Sequence, residues 1–257
     1  MHPVTIGVSL KTYFSSAQAK AWFEVIAERA RSHLDVIDGS VRVFVIPTYL
    51  QIRPALRAFR GTPVLVGAQD VSAYPPGAYT GEVAAAELAE LGVGVAEVGH
   101  AERRRLFHEA DAVVAAKAAA ALEQRITPVI CIGEMADLDP PSAALVNVEQ
   151  LAGNLDGVPR GAVIIAYEPI WAIGATRPAP DAHIATVIRA LRAALDADPD
   201  REGSAVIYGG SAGPGLLTRL GDDVDGLFLG RLAHHPDAFI AVLDEAAMLA
   251  RARLKSS

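Results

Sequence analysis

"VIIAYEPIWAIG", residues Val163 to Gly174, runs from apolar and aromatic residues straight into a glutamate and a proline. Val163–Tyr167 has the composition of a parallel strand buried on both faces. Glu168 falls where such a strand would surface, flanked by Tyr167 and Pro169-Ile170-Trp171. A carboxylate placed there either caps a helix and pairs with a cation, or serves as a base whose proton affinity rises as apolar neighbours exclude water. The stiff, ring-bearing turn after it favours the base.

Working outward, similar runs recur along the chain. Strands are expected at Val4–Ser9, Val41–Ile46, Val64–Ala68, Val95–Val98, Pro128–Ile132, Val163–Tyr167, Ala205–Tyr208 and Gly226–Leu229. Between them lie helical patterns at Ala17–Leu34, Tyr49–Phe59, Ala84–Leu91, Asp111–Gln124, Ser142–Leu155, Asp181–Ala197, Pro214–Leu220 and Pro236–Leu254. Strict alternation of this kind implies a parallel sheet with right-handed crossovers. Eight units in 257 residues fit one (β/α)8 barrel over residues 1–257 better than an open sheet. No GxGxxG follows the first strand, and no linker divides the chain.

The bulk composition narrows the partners. The chain is 51% hydrophobic and 21% charged, with 23 Lys+Arg against 30 Asp+Glu and a net charge of -7. No basic block interrupts that balance, so nucleic acid is not an expected partner. Cys131 is the single cysteine, which excludes an internal disulfide and fits a reducing cytoplasm. The N-terminus shows no secretory pattern, and the most apolar long stretch, Ala112–Leu122, contains Lys117 and is too short to cross a bilayer. A cytoplasmic location with no membrane contact is expected. No H-E-x-x-H and no cysteine cluster supports a metal, and no G-x-S-x-G elbow surrounds Ser211.

A barrel places its chemistry at the C-terminal ends of its strands. The polar residues that fall there are Ser9, Lys11, Gln69, His100, Glu102, Glu134, Glu168, Ser211 and Arg231, with Gly209, Gly210 and Gly230. His100, in "VGHAERR" (Val98–Arg104), precedes a helix start whose dipole disfavours the imidazolium. A neutral imidazole can polarise a carbonyl and move protons between oxygens, although a lone histidine at a strand end commonly serves structure. Lys11 is either a solvated strand-end lysine or a fixed cation that attracts phosphate and stabilises an oxyanion. "YGGSAG" (Tyr208–Gly213) and "FLGR" (Phe228–Arg231) are weak signals alone. Together they match the phosphate site that barrels build from their last two loops.

"GAQDVSAYPPGAYTGE" (Gly67–Glu82), "VGHAERR", "CIGE" (Cys131–Glu134), "AYEPIWAIG" (Ala166–Gly174), "YGGS" and "VDGLFLG" (Val224–Gly230) come in an order and at intervals that resemble the triosephosphate isomerase family across nearly the whole chain. The resemblance implies a cofactor-independent aldose–ketose isomerase interconverting dihydroxyacetone phosphate and glyceraldehyde 3-phosphate, in glycolysis and gluconeogenesis. Glu168 would take a proton beside the ketone. Neutral His100 would shuttle protons between the substrate oxygens of an enediolate, and Lys11 would stabilise the negative charge. Glu102 would support this cluster from behind, near Lys11, with Ser9 and Cys131 alongside. Gly174, Ser211, Gly230 and Arg231 would bind the phosphate. Pro169–Ala179 would form a lid, held closed by Tyr208 and Ser211. A homodimer through the loop around Thr80 is implied as well.

Four departures stand out. Ser9-Leu10-Lys11 replaces the family's Asn-x-Lys, and Ala101 replaces a serine. The lid reads Ala175-Thr176-Arg177-Pro178, and Arg231 replaces a glycine. A branch of this superfamily isomerises a four-carbon ketose phosphate (L-erythrulose 1-phosphate to D-erythrulose 4-phosphate), and a shortened Ser9 would make room for its extra hydroxymethyl group. A non-catalytic phosphate-binding barrel is the remaining alternative.

Overall fold

A computed structural model describes residues 3–173 and 178–256. Eight strands alternate with helices: β1 Val4–Ser9, β2 Val41–Ile46, β3 Leu65–Ala68, β4 Val95–Val98, β5 Thr127–Ile132, β6 Ile164–Tyr167, β7 Ala205–Tyr208 and β8 Gly226–Leu229. The helices are α1 Ser16–Ser32, α2 Leu34–Ile37, α3 Ile52–Ala58, α4 Ala85–Leu91, α5 Ala101–Phe107, α6 Asp111–Glu123, α7 Pro140–Leu155, α8 Asp181–Asp196, α9 Leu216–Leu220 and α10 Pro236–Ser256. All neighbouring strands pair in parallel, and β1 closes the ring by pairing with both β2 and β8. The expected barrel is therefore present, with strand ends shifted by at most one residue.

Alternation along each strand sorts side chains into two cores. Val43, Val45, Ala96, Val98, Ile130 and Ile165 point outward into the layer shared with the helices. Phe44, Val95, Val129, Ile164, Ile207 and Phe228 form a second cluster that fills the barrel interior. Gly7 is needed there: a Cβ on it would lie 2.0 Å from Cζ of Phe44. The phenyl ring occupies the space that Gly7 leaves, and such a ring contributes roughly 3 kcal/mol relative to alanine.

Local signals set the helix ends. Ser15 and Gln18 make reciprocal capping hydrogen bonds at the start of α1. Asp139 caps α7 with a proline at its first position. The helical pattern read as Ala17–Leu34 breaks at His33, whose extended backbone separates α1 from α2. Trp22 ties α1 to the loop after β8 by donating its indole N–H to the Ala233 carbonyl at 2.8 Å. Among the described residues no helix is long and apolar enough to cross a membrane.

Candidate active site

Strand continuations carry the site residues to the barrel mouth. The Glu168 amide donates to the Ile132 carbonyl at 2.9 Å and that of Gly209 to Tyr167 at 2.7 Å, so β6 and β7 remain in register past their ends. Lys11 has a positive φ of 48°, rare for a residue with a side chain. The Gln69 side-chain amide holds that turn by donating to the Lys11 carbonyl at 2.9 Å.

A cavity of about 310 Å³ opens at this mouth, lined by Lys11, His100, Glu102 and Glu168 on one side. Gly209, Gly210, Ser211, Gly230 and Arg231 line the other side, with Tyr13, Ala172 and Ile173 at the margins. A larger depression, about 480 Å³, lies between Met135 and Gln150 and gathers no such set of groups.

His100 Nε2 stands 3.5 Å from Glu168 Oε2. The Glu102 amide donates to His100 Nδ1 at 3.1 Å, which makes Nδ1 an acceptor. A neutral ring then carries its proton on Nε2, facing the cavity and Glu168. The helix-start position read from the sequence thus fixes the tautomer by a hydrogen bond.

Lys11 Nζ donates to Glu97 Oε1 at 2.9 Å. Glu97 also accepts from Ser9 Oγ at 2.7 Å and lies 3.9 Å from Cys131 Sγ. Its side chain is 2% exposed. Burial pushes its carboxyl up, but Lys11, His100 and Ser9 more than offset this and hold it below the usual value. For Lys11, burial works against the ammonium, yet Glu97 chiefly, with Glu102, keeps its pKa above the ordinary lysine value. Burial, reinforced by Glu97, pushes the Cys131 thiol well up, so it stays neutral.

Two expectations change here. Glu102 is near Lys11, at 4.0 Å, but its side chain is 53% exposed and stands at the rim. The carboxylate behind the cluster is Glu97. Ser9 is not among the residues lining the cavity; its hydroxyl turns down to Glu97 and is buried. Glu97 had a legible signal. In "VAEV" it shares the inward face with Val95, a charge at an interior position of an apolar strand.

Glu134 also lies away from the cavity, buried behind the turn that follows β6. Its Oε1 accepts from Trp171 Nε1 at 2.7 Å and from the Tyr167 hydroxyl at 3.1 Å, and His183 Nε2 is 3.0 Å away. Asn147 Nδ2 donates to Oε2 at 2.8 Å. Burial, then Glu134, raises the Tyr167 phenol. His183 escaped notice in sequence because it reads as one more position on the buried face of α8.

Among the expected phosphate ligands, Ser211, Gly230 and Arg231 border the cavity, and Gly174 lies outside the described residues, as does the Ala175–Arg177 part of the lid. The Tyr208 hydroxyl is buried with no hydrogen-bond partner among the described residues. Gly210 packs on it so closely that a Cβ would lie 2.1 Å from that oxygen.

A family profile described as triosephosphate isomerase matches residues 4–246. The chain belongs to the triosephosphate isomerase family. Within it, the chain is 46% identical to the L-erythrulose-1-phosphate isomerase of Pectobacterium atrosepticum over 95% of both chains. It is 45% identical to the triosephosphate isomerase of Mycobacteroides abscessus over 81% of this chain and 85% of that one. The Thermus thermophilus triosephosphate isomerase is 38% identical over 95% and 98% respectively. A triosephosphate isomerase structure from Bartonella henselae superposes with a TM-score of 0.80 at 26% identity, covering 95% of this chain and 99% of that one. Membership in a triosephosphate isomerase-type family, with relatives of both names, makes this chain a sugar-phosphate isomerase.

Proposed function

We propose that the protein interconverts short ketose phosphates by proton transfer through an enediolate, without a cofactor, and that its substrate is a four-carbon ketose phosphate. The observation that carries the chemistry is the convergence of Lys11, His100 and Glu168 on one cavity walled opposite by two glycine turns. The Glu168 carboxylate takes the proton from the carbon beside the carbonyl. The bonding pair moves toward the carbonyl carbon, and the carbonyl oxygen draws a proton from His100 Nε2. Lys11 stabilises the negative charge. Glu168 then gives its proton to the former carbonyl carbon, while the hydroxyl on the first carbon returns a proton to His100 Nε2 and becomes the new carbonyl, which completes the isomerisation. Ser211, Gly230 and Arg231, with Gly174, hold the phosphate; Tyr208 and Ser211 receive the closing lid. Closure matters because a wet enediolate phosphate can eliminate its phosphate.

The four-carbon reading is supported by the Pectobacterium relative, matched over 95% of both chains, and by the withdrawal of Ser9 toward Glu97. A substrate such as L-erythrulose 1-phosphate carries an extra hydroxymethyl group on the reacting carbon, and the short Ser9 leaves room for it. Dihydroxyacetone phosphate is the second reading, supported by the triosephosphate isomerase relatives and by retention of the three central residues. The test is kcat/KM for both sugars, run with deuterium incorporation from heavy water. A preference of about 10²-fold for the four-carbon sugar, roughly 2.7 kcal/mol in the transition state, is expected. The opposite preference makes the enzyme a triosephosphate isomerase, and binding without deuterium exchange would leave a phosphate-binding barrel. We also propose a homodimer through the exposed loop around Thr80.

A further inference from the structure

Glu97 is a buried acid on the inward face of β4, one layer beneath the cavity floor. Its three contacts come from two strands: Ser9 and Lys11 at the end of β1, and Cys131 on β5. We propose that Glu97 is a positioning residue of the isomerisation, clamping the Lys11 ammonium and the Ser9 hydroxyl from below so that the cavity's cation is aimed and already paired before substrate arrives.

The geometry gives the clamp two effects. Lysine is a compact charge on a flexible stem, and ordering it at the moment of substrate binding costs entropy. Glu97 orders it at folding, with the ammonium donating to Oε1 at 2.9 Å while Nζ stays at the cavity wall. The second effect is electrostatic. Lys11 and Glu97 together carry no net charge, so the ammonium acts through directed hydrogen bonds rather than as an unpaired positive charge. An unpaired lysine would attract any anion, including the ground-state phosphate; such uniform attraction does not speed the chemical step. The other ionisable groups facing Lys11 are Glu102 and His100 at the start of α5, Cys131 on β5, and Glu168 across the cavity. None of these is a buried carboxylate within hydrogen-bond distance of Nζ, as Glu97 is.

The inference rests on the isomerase reading, and the experiment separates the two. Glu97→Gln keeps the shape and removes the charge. Expected are a fall in kcat of about 10²-fold, tighter binding of inorganic phosphate by calorimetry, and a shift of Lys11 labelling by an amine-reactive reagent to lower pH. The sign follows from the pair: Glu97 raises the Lys11 pKa, so its loss frees the amine at lower pH. A merely structural defect would weaken phosphate binding along with turnover. Glu97→Asp keeps the charge but withdraws it by one methylene; it should lower kcat while leaving the labelling profile in place. Wild-type turnover combined with unchanged kcat, phosphate affinity and labelling in the Gln variant overturns the role of Glu97 alone. So does wild-type kcat in the Asp variant, which decides the matter if the Gln variant does not fold. A wild-type protein that turns over neither sugar overturns both readings together.

Discussion

Glu168 and His100 face each other at 3.5 Å, a separation at which a substrate carbon and oxygen can be served by both groups at once. Glu168→Asp pulls the carboxylate back by one methylene while preserving its charge. Proton abstraction depends steeply on the approach distance, so kcat should fall by about 10²-fold or more with KM little changed. Full activity in that variant would remove Glu168 from the role of base. The candidate base, electrophile and cation were legible in the sequence because each follows an apolar strand directly. Their partners were less so. The bond from Lys11 to Glu97 spans 86 positions and that from Ser9 spans 88, and no local pattern reports contacts at that range.

At the scale of elements, β6 hands Glu168 to the cavity and Trp171 to the Glu134 knot within three positions of each other. Glu134 accepts from Trp171 and Tyr167 and abuts His183 on α8, so one buried carboxylate joins β5, β6, α8 and the turn that follows β6. Trp171→Phe keeps a ring and deletes one donor to that charge. A hydrogen bond to a charged group contributes about 1.5 kcal/mol, equivalent to about tenfold in rate if it bears on closure. The variant should therefore show a lower melting temperature and a fall in kcat of up to roughly tenfold. Wild-type values for both would detach the lid from Glu134. The strands themselves were read within one residue, since runs of Val, Ile and Ala bounded by glycine or proline leave little choice. The break of α1 at His33 was missed because helical periodicity continues through Leu34.

For the whole molecule, the loop after β3 is exposed from Tyr74 to Glu82, with Tyr74 and Tyr79 stacked on each other, ring centroids 4.4 Å apart. Exposed paired rings beside an exposed Thr80 suit insertion into a second copy. Light scattering should give twice the 26.9 kDa chain mass at micromolar concentration. Thr80→Asp, which puts a charge at the tip proposed to insert, should shift the mass toward one chain. An active wild-type monomer would end the dimer proposal. By itself the sequence determined the eightfold alternation, hence the barrel, and which polar residues stand at its mouth. Both follow from periodicity and from position relative to strand ends, which are local properties. Only the tertiary structure decided that Glu97 rather than Glu102 backs Lys11, that the Ser9 hydroxyl turns away from the cavity, and that Glu134 is buried against Trp171, Tyr167 and His183 rather than lining the cavity. A buried charge takes whichever partner the closed barrel brings beside it, and barrel closure is a property of the whole chain.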